Sequence, residues 1–422
     1  MAIYGGICLG LTINIDKLLC YLVGIFVPLV AARLSVGSYE MPLYLIPLNL
    51  LFIKAIMIKM RERYLLEQEN LYPVLLMLSI IVSALFSQII DVSGIIKMAL
   101  NIFIYFQTIV ILKTINENAL DIIFKAAILS CSAYLIVLIY IYIIEFNVLY
   151  IGVNLDHATK EGRNSLAFML AFMVPISIQY LSGLAINKSK ILLVCIIVNI
   201  FGAILTQSRG LIIAIIISTT IAVINLIRKG NWRTSLQWIV LFSAILLFMS
   251  VYLPDVFNSI YNRYSTIGSI FQGDDIGYSA EVRIDSYKYA FETFDSAPIL
   301  GIGYSGFMES NFTGKGTHND YLKVFSELGL FGLFIFFLIF KTTYKKCIIL
   351  MNSTNEVSKL GITFSVITIF IYIIFINALE TPLFWLALGM LRGIRINVPQ
   401  ILGHKLPVGG CKKEIKTIYL SI

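Results

Sequence analysis

Residues 281–332 read EVRIDSYKYAFETFDSAPILGIGYSGFMESNFTGKGTHNDYLKVFSELGLFG, a polar passage between long apolar runs. Ile284, Tyr287, Phe291 and Phe294 recur at three- and four-residue steps, while Asp285, Lys288, Glu292 and Asp295 point elsewhere. That spacing predicts an amphipathic helix on the membrane face of a loop. Pro298 and the glycines after it end the helix, and His318 opens the next apolar run.

Outward from this passage the chain is apolar. Of its 422 residues, 59% are hydrophobic and only 13% charged, against about a quarter charged in soluble domains, and mean hydropathy is +0.88. Apolar runs long enough for repeated crossings, at about 20 residues each, point to an all-α polytopic transmembrane bundle, because lipid leaves the backbone no other way to close its hydrogen bonds. The net charge of +8 is dispersed between the runs, which fits positive-inside topology better than a nucleic-acid partner. The six cysteines show no CxxC spacing, so neither a disulfide nor a metal cluster is expected. Residues 1–19 lack a basic n-region and a small-residue cleavage site and read as mature sequence.

The runs fall near 18–32, 41–57, 72–90, 95–113, 122–145, 165–185, 190–206, 210–227, 237–253, 319–341, 359–378 and 382–397, about twelve spans by the length criterion. Lys59, Arg61, Arg63, Lys188, Arg228, Lys229, Arg233, Lys341, Lys345, Lys346 and Lys359 lie in connectors on one side, joined by Lys405, Lys412, Lys413 and Lys416 of the tail. Both termini are therefore expected in the cytoplasm. Connectors 146–164, 206–209 and 254–318 face the other side, away from nucleotide-activated substrates. The expected organisation is one membrane domain, 1–422, with a large extracytoplasmic loop at 254–318.

Gly301-Ile302-Gly303-Tyr304-Ser305-Gly306 spells the dinucleotide-binding string, but that string acts only between a buried strand and a helix. Here an amphipathic helix and Pro298 precede it. Gly314-Lys315-Gly316-Thr317 likewise lacks the first glycine of a phosphate loop and has glycine after the lysine. No nucleotide cofactor is implied.

Three arginines are more informative. Arg163 heads an apolar run, Arg209 sits at the junction of two, and Arg283 lies in the loop, all on the outer side. Either boundary arginine alone also fits an interfacial anchor. Together they offer guanidinium forks that bind phosphate oxygens and stay charged at any physiological pH. His318, one of three histidines, starts an apolar helix on the same face with an unperturbed pKa of about 6.5, suited to general-base work. A cap or interface role is the alternative for such a histidine. Glu327, within the same run, fits either an orienting group or a structural hydrogen bond.

The combination of Arg283, Pro298-x-x-Gly301-x-Gly303, His318-Asn319-x-Tyr321-Leu322 and Glu327-x-Gly329-x-x-Gly332 resembles the signature region of the bacterial O-antigen polymerase and O-antigen ligase superfamily. Ser208-Arg209-Gly210 and Arg163-Asn164 resemble its two earlier arginine positions, although Arg163 stands where members often carry proline. The resemblance covers roughly residues 150–340 in motif and the whole chain in topology. It implies a GT-C-like bundle in the bacterial cytoplasmic (inner) membrane that transfers glycans from an undecaprenyl-diphosphate carrier to a sugar hydroxyl, inverting, with no metal or cofactor. His318 is then the general base, with Arg209, Arg163 and Arg283 stabilising the diphosphate. Arg209, Arg283, Asn319, Tyr321, Gly301 and Gly303 bind substrate. A polymerase is expected, a ligase to lipid A core or protein is the rival, and a transporter or flippase fits less well because no inverted repeat is visible. A chain-length regulator in the membrane is a further implied partner.

Overall fold

The computed structural model describes residues 14–29, 33–36, 39–59, 70–87, 90–115, 118–146, 163–183, 190–252, 278–310 and 316–395, with single positions between 254 and 261. Cys8, Cys411 and the basic tail lie outside the described residues, as does most of the first third of the expected 254–318 loop. Cys20, Cys131, Cys195 and Cys347 are free thiols.

Every expected apolar run contains a helix. In chain order these are α1 (Ile15–Phe26), α2 (Leu45–Lys59), α3 (Leu71–Phe86), α4 (Val92–Thr114), α5 (Ala119–Phe146), α6 (Arg163–Gly183), α7 (Lys190–Leu205), α8 (Arg209–Arg228) and α9 (Trp232–Tyr252). The loop adds α10 (Tyr278–Ser296) and α11 (Gly306–Ser310), and the chain continues with α12 (Asp320–Ser353), α13 (Val357–Tyr372) and α14 (Pro382–Gly393). One antiparallel hairpin, β1 (Arg33–Val36) and β2 (Tyr39–Pro42), departs from the all-α expectation.

Five helices, α4, α5, α6, α8 and α12, are long and apolar enough to cross a membrane. The 23 residues of α4 rise about 35 Å, enough for a hydrocarbon core of about 30 Å. The 12 residues of α1 and of α14 rise only about 18 Å. Twelve full crossings therefore exceed what helix length and composition support in the described residues.

Contacts set the direction of the helices. At one end Lys229 donates to the Thr354 carbonyl at 2.7 Å and to Asn355 at 3.0 Å. At that same end Lys346 reaches the Ile394 carbonyl at 2.9 Å and Arg395 the Lys113 carbonyl. Lys229, Lys346 and Arg395 thus lie at one end of the bundle, while Arg61, Arg63, Lys188 and the tail lysines lie outside the described residues. At the opposite end the start of α12, the end of α13, the start of α14 and the end of α3 converge.

The centre of the bundle is α6, α13 and α14. Leu383 to Gly393 of α14 are buried throughout, and α6 is buried over most of its length. Small residues let helix backbones approach, the packing that association in lipid favours. A β-carbon on Gly389 of α14 would stand 2.7 Å from the Tyr105 carbonyl oxygen of α4. Aromatic contacts lock the same seams, with Phe168 stacked on Tyr372 and Tyr105 edge-on to Trp385.

Candidate active site

Helix α12 breaks at Gly329, whose φ of 62° and ψ of −162° are not helical. A broken helix leaves carbonyls on one side and N–H groups on the other without intrahelical partners. The segment after α10 supplies them. Ile302 and Gly303 donate to the carbonyls of Ser326 and Glu327 at 3.1 Å each, while Leu330 and Phe331 donate to the carbonyls of Pro298 and Ile299 at 2.9 and 3.2 Å. From α3, the Ser83 hydroxyl also donates to the Glu327 carbonyl at 2.8 Å, and that of Ser87 to the Ile302 carbonyl at 2.6 Å.

The Gly301 and Gly303 pair is thus seated in the backbone of the break. Gly301 (φ 71°) and Gly303 (φ 102°) adopt left-handed conformations. The Glu327 carboxylate fastens the same segment by accepting from the Ser305 N–H at 3.0 Å. Of the two roles open to Glu327 in the sequence, the geometry shows the structural hydrogen bond.

Helix α10 forms where its spacing predicts. It turns Ser286, Ala290 and Thr293 inward, whereas Ile284 and Phe291 remain exposed. Small residues let it lie close to α12, and Phe294 stacks on Phe325 of that helix with centroids 3.9 Å apart. Arg283, half-buried on α10, is not among the residues that line the cavity described below.

His318 occupies the tight turn before α12 with φ 51°. The turn is cross-braced: Asn319 N donates to Thr317 Oγ1 at 3.3 Å, and that oxygen lies 2.8 Å from the Asn319 carbonyl and 3.1 Å from Asn377 Oδ1. Asp320 bolts the helix start to the α13–α14 connector. Its N–H donates to the Ile373 carbonyl at 2.9 Å, and its carboxylate accepts from Ala378 and Leu379 N–H at 2.7 and 2.8 Å.

The helix start that carries Arg209 abuts the same connector from another side. Arg209 is the first residue of α8, after a buried turn in which Gln207 also has φ 51°. Ser208 Oγ lies 3.1 Å from the Tyr372 hydroxyl, and Gly210 lies against Phe375, whose Cβ a β-carbon there would meet at 2.5 Å. Arg163 opens α6; its side chain lies outside the described residues. Among the described residues the positive-φ positions other than glycine are Gln207, Ser305 and His318, all at this end of the bundle. Such backbone is costly for ordinary residues and gathers at functional sites.

A cavity of about 530 Å³ opens here, lined by His318, Asn377, Asn164, Asn101, Lys97 and Glu380 among others. Behind it Lys323, nearly buried, pairs with Glu380 and lies 3.9 Å from Glu327. Its ammonium stands 5.4 Å from the centre of the Tyr304 ring. Burial, then the charges of Glu380 and Glu327, hold the Tyr304 phenol well above the usual tyrosine range.

The arrangement gathers His318, the residue following Arg163, and the helix start that carries Arg209 around one connector. Asn319 and Tyr321 also make contacts that hold the fold. Asn319 caps α12, accepting from Tyr321 and Leu322 N–H at 2.9 and 3.2 Å. The Tyr321 hydroxyl donates to the Phe370 carbonyl at 3.1 Å.

Sequence reasoning missed Lys323 and Glu380. Lys323 is an ionisable residue one turn from Glu327 inside an apolar run, a signal by itself. Glu380 stands between two apolar runs, at the same end of the bundle as His318.

Residues 191–337 match the family model described as O-antigen ligase. The match spans Arg209, Arg283, Gly301, Gly303, His318, Asn319, Tyr321 and Glu327; Arg163 and Glu380 lie beyond it. It supports the resemblance to the O-antigen ligase and polymerase superfamily. No curated protein matches the chain.

Proposed function

We propose, from the match of residues 191–337 to the O-antigen ligase family model, that this chain is an integral-membrane glycosyltransferase acting as a surface-polysaccharide polymerase. It moves a growing glycan from an undecaprenyl-diphosphate carrier onto a hydroxyl of the next lipid-linked repeat unit. The site faces the extracytoplasmic side of a bacterial cytoplasmic membrane. The observation that carries this reading is the convergence of the His318 turn and the Arg209 helix start on one connector beside a polar cavity. Its volume falls within the range of small-molecule sites, about 300–1,000 Å³.

In the reaction His318 takes the proton of the acceptor hydroxyl as that oxygen attacks the anomeric carbon. The bond from that carbon to the diphosphate oxygen breaks, and its electron pair leaves on the diphosphate. Attack opposite the leaving group inverts the anomeric centre. Arg209, with Arg163 or Arg283, stabilises the charge that develops on the leaving oxygen, where fixed cations act most strongly. General-base assistance contributes about 10²–10⁴-fold.

The family description favours a second reading, a ligase that passes the finished chain to lipid A core or protein. The chemistry is the same and the acceptor differs. The deciding experiment incubates the purified protein in detergent with synthetic polyprenyl-diphosphate repeat units. A ladder of products supports the polymerase; transfer of a preformed chain to an added acceptor without a ladder supports the ligase. Absence of both reactions refutes glycosyl transfer.

A further inference from the structure

Among the described residues Glu380 is the acidic side chain that lines the cavity, and the reaction proposed gives it no task. Its setting is built. The Asn101 amide holds its backbone carbonyl at 2.7 Å, and Lys323 grips one carboxylate oxygen. The Lys323 side chain is 10% exposed and that of Glu380 44%, so the pair runs from the protein interior to the cavity wall.

Lys323 cannot neutralise all its neighbours. Glu327 and Asp320 act on the same ammonium, so three carboxyl groups surround one cation. Glu327 is engaged by the Ser305 N–H and Asp320 by those of Ala378 and Leu379. A carboxylate has about four acceptor positions, and on Glu380 Lys323 and the Tyr304 phenol draw on two of them. The remaining capacity borders the cavity, beside the amides of Asn101, Asn164 and Asn377.

This chemistry discriminates between the two ends of a lipid-linked glycan. A diphosphate is repelled by a fixed carboxylate, whereas a neutral sugar offers hydroxyl donors that a carboxylate accepts as charge-assisted hydrogen bonds. We propose that Glu380 binds the acceptor sugar through its hydroxyl groups and, by like-charge repulsion, keeps the diphosphate on the Arg209 side. The proposal rests on the glycosyltransferase reading.

The test measures sugar binding apart from turnover. The probe is the repeat-unit oligosaccharide released by mild acid from the strain's own lipid-linked intermediates, so it carries neither lipid nor diphosphate. Its affinity for the purified full chain is measured by saturation-transfer NMR. Loss of one charge-assisted hydrogen bond is expected to weaken binding about tenfold in Glu380→Gln, with Glu380→Asp between the two and Glu356→Gln, at the far end of α13, like wild type. Because Glu380→Gln leaves Lys323 short of a partner, the double variant Lys323→Met/Glu380→Gln, which removes both charges, must show the same loss while eluting as a monodisperse species. Wild-type affinity in either variant, or no binding by wild type, overturns the proposal. Glu380-dependent binding without transfer in the ladder assay refutes the enzymatic reading and keeps the sugar site; transfer with Glu380-independent binding does the reverse.

Discussion

A β-carbon on Gly301 would stand 2.2 Å from the carbonyl carbon of Glu327. The two residues are pressed together because the glycine segment replaces the helical partners that α12 lacks at Gly329. Gly301→Ala must therefore displace backbone and also hold alanine at φ 71°, a combined cost of roughly 2–4 kcal/mol. Thermal unfolding in detergent is expected to shift down by several degrees. Gly306→Ala is the contrast, since the nearest atom to its β-carbon is 3.7 Å away, and its midpoint should stay near that of wild type.

His318 allows chemistry and folding to be separated. Its left-handed backbone suits asparagine far better than alanine, so His318→Asn should keep the wild-type melting temperature. Turnover is expected to fall about 10²–10⁴-fold through loss of the base. Activity in His318→Asn above one tenth of wild type would assign the proton transfer elsewhere. EDTA should leave the wild-type rate unchanged, because the proposed charge stabilisation comes from arginine.

For Arg209, the shape of the cation matters as well as its charge. Arg209→Lys keeps the charge but loses the planar fork and is expected to lower kcat by about 10-fold or more. Arg209→Ala should cost about 10²–10³-fold, the usual scale for a lost transition-state donor. Equal rates for the two variants would point to charge alone, and wild-type rates in both would remove Arg209 from the reaction.

Asn319 tests the structural role that the fold gives it. Loss of its cap on α12 is expected to destabilise by about 1 kcal/mol in Asn319→Ala, with Asn319→Asp restoring most of that. The KM for the lipid-linked substrate should not move. A raised KM in Asn319→Asp with normal stability would return this residue to substrate binding.

The amino-acid sequence by itself determined that the chain is helical and membrane-embedded, since composition and local periodicity need no long-range contacts. The positions of its apolar runs were legible for the same reason. Arg209, Gly301 and Glu327 also stood out locally, as a charge at an apolar junction, a glycine pair and an acid in an apolar helix. What each does was decided by tertiary structure. Only the break at Gly329 explains why the glycines bind backbone, because the carbonyls and N–H groups they satisfy belong to another element. The Lys323–Glu380 pair, 57 residues apart in sequence, likewise exists only once α12 and the α13–α14 connector meet. Whether a polar side chain serves the fold or faces the cavity depends on the partners the fold has already given it, and that sharing-out of hydrogen bonds has no signature along the chain.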